Sequence, residues 1–600
     1  MDTSVQLTSL QVAGYEIIVQ GVLSPFMLTT TATPISAGVM HVQFSFSAPT
    51  PQHPEPVTLM WRHPMINTHL KWHPGAYLNR TLEPNWNPQR FVSRGTTHAP
   101  VYALYGADDT NALTFALSDT LNATLLSVGL VEETAEADCQ ITLFYEPLPP
   151  IQNYTVTLRL DTRAIHYTSV LADVSTWWAD IPKYKPTIAP VLAAVPLYST
   201  WYSFHQNLSA SEVEYQCQLA KDLGMGVVIV DDGWQTHNNE RGYAYCGDWN
   251  VNNEKFPDFA KHVAQIHQLG MKYVMWFAVP FLGIHSEAYP RFKDKVLDPK
   301  NTRGWYVLDP RFPEVRSYLI NIYRRFALDY RIDGFKLDFV DAFLLPAQEP
   351  SAFGNGRDYD SVPEAVDRLL TDVTDELRRI NPDILIEFRQ SYIGPLMRKY
   401  GNMLRAGDVP DDITGNRVRT LDVRLLAGNT PVHADMLMWH PDESVESAAM
   451  QIIHALFAVP QISVLLDKIP PDHLKMVRFY LDFWSQHVDV ILNGQLQPQR
   501  PGYLYPLVCA SSPDKTLLAF YGTNHAKIAQ PPRTLILVNG TFEDGIVLDL
   551  GVATAPLKLT IQSCTGEYLV KNEDIVLSVG AYSVNVPKAG VAILSYDEEA

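Results

Sequence analysis

No stretch of this chain approaches the roughly 20 consecutive apolar residues needed to cross a bilayer, so its 46% hydrophobic residues have to be buried in folded domains. Cysteine is sparse: Cys139, Cys217, Cys246, Cys509 and Cys564 include no CxxC pair, which argues against a zinc ribbon and against a disulfide framework. A reducing compartment fits that pattern. Positive charge is also short, with 46 Lys and Arg against 65 Asp and Glu and a formal charge of −19. A face that displaces counterions from a polyanion needs the opposite sign, so nucleic acid is not an expected partner. The first residues, MDTSVQLTSLQVAGYEIIVQ, lack the basic start and apolar core of an export leader. Together these absences lead to the expectation of a cytoplasmic protein with neither a membrane nor a nucleic-acid partner.

At 600 residues the chain has room for two to four domains. Residues 1–175 carry short runs rich in Val, Thr, Phe and Tyr, such as VMHVQFSFSA, ALTFALS, CQITLFYE and YTVTLRLDT, broken by TPQHPEP and GADDTNA. Their period-two alternation predicts an antiparallel β-sandwich. From 176 to 495 the pattern becomes strand, loop, amphipathic helix. Eight candidate strands lie at 196–204, 226–234, 272–279, 334–340, 384–391, 402–408, 432–439 and 462–468, with helical segments such as SASEVEYQCQLAKDLG and PEVRSYLINIYRRFALDY between them. Eight such units predict a (β/α)₈ barrel. Residues 496–600 return to short strands, among them LYPLVCA, KTLLAFYG, RTLILVNG and LKLTIQS, which predict a smaller C-terminal β-sandwich.

Barrel chemistry sits at the C-terminal ends of the strands and in the loops that follow. Read in order, those ends offer Trp201, then Asp231, Asp232 and Trp234, then Trp276, then Lys336 and Asp338, then Arg389, Asp408, and His433 with Asp435. Carboxylates and tryptophans with few metal-ligand pairs suit a sugar site. Tryptophan covers the apolar face of a pyranose, and aspartates accept bonds from vicinal hydroxyls. A glycosidic bond breaks through an oxocarbenium-like state, which calls for one carboxylate at the anomeric carbon and a second acid at the departing oxygen. Neither a metal nor an organic cofactor is needed for that reaction.

Any one of these acids could equally be a turn or helix cap, and Trp201 and Trp276 could be core. The pair in GFKLDF is different. If Phe335 and Leu337 point out toward the helices, Lys336 and Asp338 share the inward face, and burying both without a purpose would cost several kcal/mol. A lysine there would also keep the neighbouring carboxylate ionised.

These pieces resemble glycoside hydrolase family 36, the retaining α-galactosidases. The resemblance is carried by VDDGWQ (230–235), GDWNVNNEKFP (247–257), RGWYVLDPRFPEVRSYL (303–319), GFKLDF (334–339) as the K-x-D motif, and RAGDVPDD (405–412) at the place of the acid/base loop. It implies Asp338 as nucleophile and Asp408 as acid/base. Asp231 and Asp232 would take the 4- and 6-hydroxyls, with Trp201 and Trp234 framing the pocket. Lys336 would reach the 3- and 4-hydroxyl side, and Arg303 would approach from a neighbouring loop.

Two departures stand out. The cysteine, serine and glycine-rich stretch usual before the acid/base is EFRQSYIGPLMRKYGNMLRAGD (387–408) here, and Arg389 resembles the site arginine of family 31 α-glucosidases and α-xylosidases. The run after the third strand is WFAVP, with Ala278 where an acid is expected. Both lie around the 2-hydroxyl and the leaving-group side. The resemblance implies hydrolysis of terminal α-galactosides of the melibiose or raffinose type. It leaves open another α-glycoside (N-acetylgalactosaminide, glucoside, xyloside), transfer to an acceptor sugar, and a non-catalytic carbohydrate-binding role. A small glycoside or oligosaccharide is the implied partner, and a homo-oligomer is compatible with the architecture.

Overall fold

The computed structural model describes residues 6–12, 14–346 and 354–596. Two six-stranded antiparallel sheets form the N-terminal region. The long hairpin Met27–Ser36 with Val39–Gln52 and the strand Ile151–Asp161 anchor one of them; Val57–Pro64 and Glu136–Leu143 run through the centre of the other. The alternation seen in the sequence is the alternation of burial. In Val39–Gln52, Val42, Phe44 and Phe46 face a shared core with Leu59, Trp61, Phe115 and Ile141, while the residues between them are more exposed. Period two places every second side chain on the buried face.

The middle of the chain is a parallel eight-stranded sheet rolled on itself. Its strands are β1 (Leu197–Ser199), β2 (Val227–Val230), β3 (Lys272–Ala278), β4 (Gly334–Asp338), β5 (Leu385–Arg389), β6 (Met403–Arg405), β7 (Val432–His433) and β8 (Gln461–Ile462). The seam between β7 and β8 is closed by backbone bonds from Ala434 N to Val459 O (3.1 Å) and from Leu437 N to Gln461 O (2.7 Å). All eight expected strands are present, but shorter than their apolar runs. The run at 196–204 changes course after Ser199, and Trp201–Phe204 is a turn of helix. The excess at each strand end is loop, which is where a barrel builds its site.

Helices with caps legible in the sequence flank the strands: Ser209 caps Ala210–Asp222, and Asp258 caps Phe259–Gln268 through the Lys261 amide at 3.0 Å. Outward residues such as Val228, Met275, Phe335 and Ile386 pack on them. Inward residues stack in layers. Val227, Ile229, Val274, Leu385 and Met403 fill the bottom, and register places Trp276 beside Lys336, Lys336 beside Glu387, and Arg389 beside Arg405 above it. The floor of the barrel is therefore apolar and its upper half charged.

The C-terminal region has a seven-stranded and a three-stranded sheet around their own core. Two of its pairings are parallel, Lys515–Phe520 with Thr534–Asn539 and His525–Ile528 with Ile546–Leu550. Asp422, buried on the helix after β6, accepts from Trp72 Nε1 (2.9 Å) and Arg80 (2.6 Å) of the N-terminal region and from Tyr505 (2.6 Å) of the C-terminal region. One carboxylate thus ties both flanking regions to the barrel. No helix among the described residues is long and apolar enough to cross a membrane.

Candidate active site

Asp338 is the last residue of β4 and is 7% exposed. Its two oxygens are treated differently. Oδ1 accepts from Arg389 Nε (2.8 Å), from the Phe339 amide (2.8 Å) and, by a short bond, from the Tyr392 hydroxyl. Oδ2 accepts from Trp276 Nε1 at 3.0 Å. Burial by itself would push this carboxyl up, but the Arg389 and Lys336 charges and the Tyr392 and Trp276 bonds outweigh it and hold the acid below its ordinary range. The result is a carboxylate biased toward its ionised form, with one heavily bonded and one lightly bonded oxygen. Phe339, at a φ of 61°, turns the chain abruptly after it and brings its ring to the cavity wall. A side chain in that left-handed region costs about 1 kcal/mol or more and persists where surrounding packing holds it.

Lys336, two residues earlier on the same face, bonds Asp231 Oδ2 at 2.6 Å across the barrel. Asp231 Oδ1 in turn accepts the Asp232 amide at 2.9 Å. Asp232 accepts from Gln206 and Gln235, each at 2.7 Å, and burial raises it to about 6 against those bonds. Gly233 makes this corner possible: its φ is 115°, and a Cβ there would lie 2.5 Å from the Gln206 Cα.

Asp408 stands three residues beyond β6 with its side chain 47% exposed. Arg405 Nη2 holds its Oδ1 at 2.8 Å. Against burial, the charges of Arg405, Arg389 and Lys336 press this acid far below the ordinary carboxylate range. Arg405 itself is buried and three-sided: Nη1 makes a short ion pair with Asp435, and Nε faces Glu387 at 3.6 Å.

Trp201, Asp231, Asp232, Tyr243, Trp276, Lys336, Asp338, Phe339, Arg389, Arg405 and Asp408 line one cavity of about 50 Å³ at the C-terminal mouth of the barrel. A larger cavity, about 610 Å³, lies on the seam with the N-terminal sheets and is walled mainly by aliphatic groups such as Leu121, Leu344, Val362 and Leu396. Size does not locate the chemistry here; the convergence of charged groups does.

Eight of the twelve residues singled out in the sequence meet in the smaller cavity; Trp234, Arg303, His433 and Asp435 do not line it. Trp234 is fully buried against Trp249, Phe277 and Phe326, and its Nε1 bonds the Trp276 carbonyl at 2.9 Å, so it supports a wall residue from behind. Arg303 is also elsewhere: it is exposed, with its guanidinium 5.7 Å from the Trp305 ring, and only that ring reaches toward Tyr243. His433 is buried and does not line the cavity; Nε2 meets the Ala193 carbonyl at 2.8 Å and Nδ1 meets Gln461 at 3.2 Å. Among the described residues no group of three or more His, Cys, Asp or Glu is placed to hold a metal.

Tyr243, Phe339, Tyr392, Arg405, Glu387 and Asp435 complete the site and its support, and the reading of the sequence assigned none of them a role. Glu387 and Arg405 had a usable signal, since alternation puts them on the same inward face as Arg389. Tyr243 lies in a loop and had none.

A family model described as Melibiase matches residues 181–394. Over 214 residues the chain is 27% identical to α-galactosidase Mel36A of Lactobacillus acidophilus, an alignment that covers 34% of this chain and 28% of that protein. The match therefore spans well under half of the curated relative. Among solved structures, the α-galactosidase of Lactobacillus brevis superposes with a TM-score of 0.64 at 15% identity, over 99% of this chain and 85% of that one. A variant of α-galactosidase AgaA of Geobacillus stearothermophilus, solved with raffinose, gives 0.62 at 15% identity over 98% and 84%. At such identities the superpositions speak for the fold: a barrel between two β regions.

Proposed function

We propose, from the premise that residues 181–394 carry the melibiase domain and that the fold is the one found in family 36 α-galactosidases, that this chain is a retaining, exo-acting α-galactosidase. The observation that carries the reading is Asp338: a buried carboxylate, held below its ordinary pKa, whose Oδ1 accepts from Arg389, Tyr392 and its own chain while Oδ2 has one donor, and which lines a cavity together with Asp408.

In the first half-reaction Oδ2 of Asp338 forms a bond to the anomeric carbon as the bond to the leaving oxygen breaks, and that oxygen takes its electron pair and the Asp408 proton. In the second, Asp408 removes a proton from water, the water oxygen bonds the anomeric carbon, and the ester bond breaks with its electrons returning to Asp338. Lys336, Asp231 and Asp232 would bind the ring hydroxyls, and Trp201, Trp276, Tyr243 and Phe339 would pack its apolar faces. A raffinose-type oligosaccharide is the substrate class, on the strength of the complex formed by the Geobacillus relative.

A second reading concerns the sugar alone. Arg389 bonds the nucleophile directly, and Ala278 is paired with Asp338 across the sheet where an acid was expected, which favours a test of α-glucosides and α-xylosides beside α-galactosides. A panel of nitrophenyl α-glycosides and raffinose, with and without an acceptor sugar, decides between them. Asp338→Gly with azide is expected to recover part of the activity as a β-glycosyl azide; an Asp338→Ala enzyme with normal turnover would sink the assignment.

A further inference from the structure

Asp435 follows β7, is 0% exposed, and does not line the cavity. The double displacement above gives it no task, yet both of its carboxylate oxygens and its backbone are tied to the segment that carries Asp408. Its Oδ1 makes the short ion pair with Arg405, the same guanidinium whose other terminal nitrogen holds Asp408. Its Oδ2 accepts the amide of Val409, the residue directly after Asp408, at 2.6 Å and the Tyr202 hydroxyl at 2.9 Å. Its backbone is fixed on both sides by Asn416, through Oδ1 at 3.1 Å and Nδ2 at 3.2 Å.

This arrangement addresses a difficulty in the chemistry. Asp408 has to carry a proton when the leaving oxygen departs, yet three cations face it: Arg405 from β6, Arg389 from β5 and Lys336 from β4. Opposed to them are Asp435 beside Arg405 and Glu387 behind it, with Asp338 engaging Arg389 and Asp231 engaging Lys336. Of these acids, Asp435 is the one that both competes with Asp408 for the same guanidinium and holds the adjoining backbone. Resting on the reading of Asp408 as acid/base, we propose that Asp435 is a positioning residue that fixes the Asp408 loop and draws Arg405 away from Asp408, so that the acid can be protonated for the first half-reaction. Burial raises Asp435 to about 6, and the three cations hold Asp408 below the ordinary carboxylate range.

Asp435→Asn tests this. Asparagine can still accept from Val409, but it carries no charge, so Arg405 is left to Asp408 and the more distant Glu387. The alkaline limb of kcat/KM is expected to move to lower pH by on the order of one unit. Turnover of raffinose, whose sugar leaving group needs a proton, is expected to fall by about 10²-fold more than turnover of α-galactosyl fluoride, whose leaving group needs none. Tyr202→Phe removes one donor to Asp435 and should act in the same direction more weakly, which covers the case of a poorly folding Asp435→Asn. Equal losses on both substrates, or an unmoved limb, overturn the proposal. A carboxyl-carbon NMR titration of Asp408, assigned with Asp408→Asn, reads the coupling without turnover: a lower midpoint in Asp435→Asn supports it, and an unchanged midpoint overturns it. A wild-type protein inert toward every α-glycoside would defeat the enzymatic reading, and that titration would still decide the coupling.

Discussion

The two acids at the barrel mouth are held in opposite ways. Asp338 ends a strand, is almost wholly buried, and receives donors from β3, β5, the loop after β5 and its own chain. Asp408 lies on a loop, is about half exposed, and is held by one guanidinium that it shares. The contrast fits what each would have to do. A nucleophile must stay ionised and keep one oxygen aimed, so rigid donors around the other oxygen serve it. An acid/base must gain and lose a proton in every cycle, so access to water and a divided counter-charge serve it better.

The sharpest way to break the comparison is to remove the nucleophile. Asp338→Ala should lower kcat by at least about 10⁴-fold on every substrate, measured with nitrophenyl galactoside and with the fluoride alike. Asp408→Ala should be selective: a loss of about 10²–10⁴-fold on raffinose, and a far smaller one on the fluoride. If both variants lose activity evenly across leaving groups, the division of labour between the two acids is wrong.

Arg389→Ala probes the clamp on the buried acid. Without that cation the Asp338 carboxylate is less stable and its pKa rises, so at a given acidic pH less of it is ionised. The acidic limb of kcat/KM should therefore move to higher pH, by about one to three units for loss of a close ion pair; a stationary limb would mean that Arg389 does not govern that ionisation. The smallest effects separate wall from scaffold. Trp276→Phe removes the donor to Oδ2 and should cost about tenfold in kcat, the value of a bond of about 1.5 kcal/mol. Trp234→Phe should leave KM unchanged and lower thermal stability by about 1–2 kcal/mol, and Arg303→Ala should do neither.

Much of this was legible in the order of residues. Apolar runs alternating with amphipathic helical segments located all eight barrel strands, and alternation along GFKLDF put Lys336 and Asp338 on one inward face, where they are found. Strand ends were overextended, because an apolar run does not reveal where parallel pairing stops; Trp201 is on a helical turn for that reason. Trp234 misled because a tryptophan beside two site acids can turn either to the cavity or to the helices; its ring packs against Phe277 and Phe326, and its indole N–H donates to the Trp276 backbone carbonyl of β3. Arg405 and Glu387 stood in quoted motifs on the right face but were read as neighbours of the acids and given no role of their own.

By itself, then, the sequence determined the three-region architecture, the barrel, and the shared inward face of Lys336 and Asp338, because those follow from periodicity and local turn chemistry that neighbouring residues carry. Only the tertiary structure decided which charge answers which. Lys336 is paired with a residue 105 positions away, Asp338 with Arg389 51 positions away, and Asp435 with Arg405 30 positions away. Buried charges are tolerated by virtue of their partners, and barrel closure, which no local pattern encodes, is what brings those partners together.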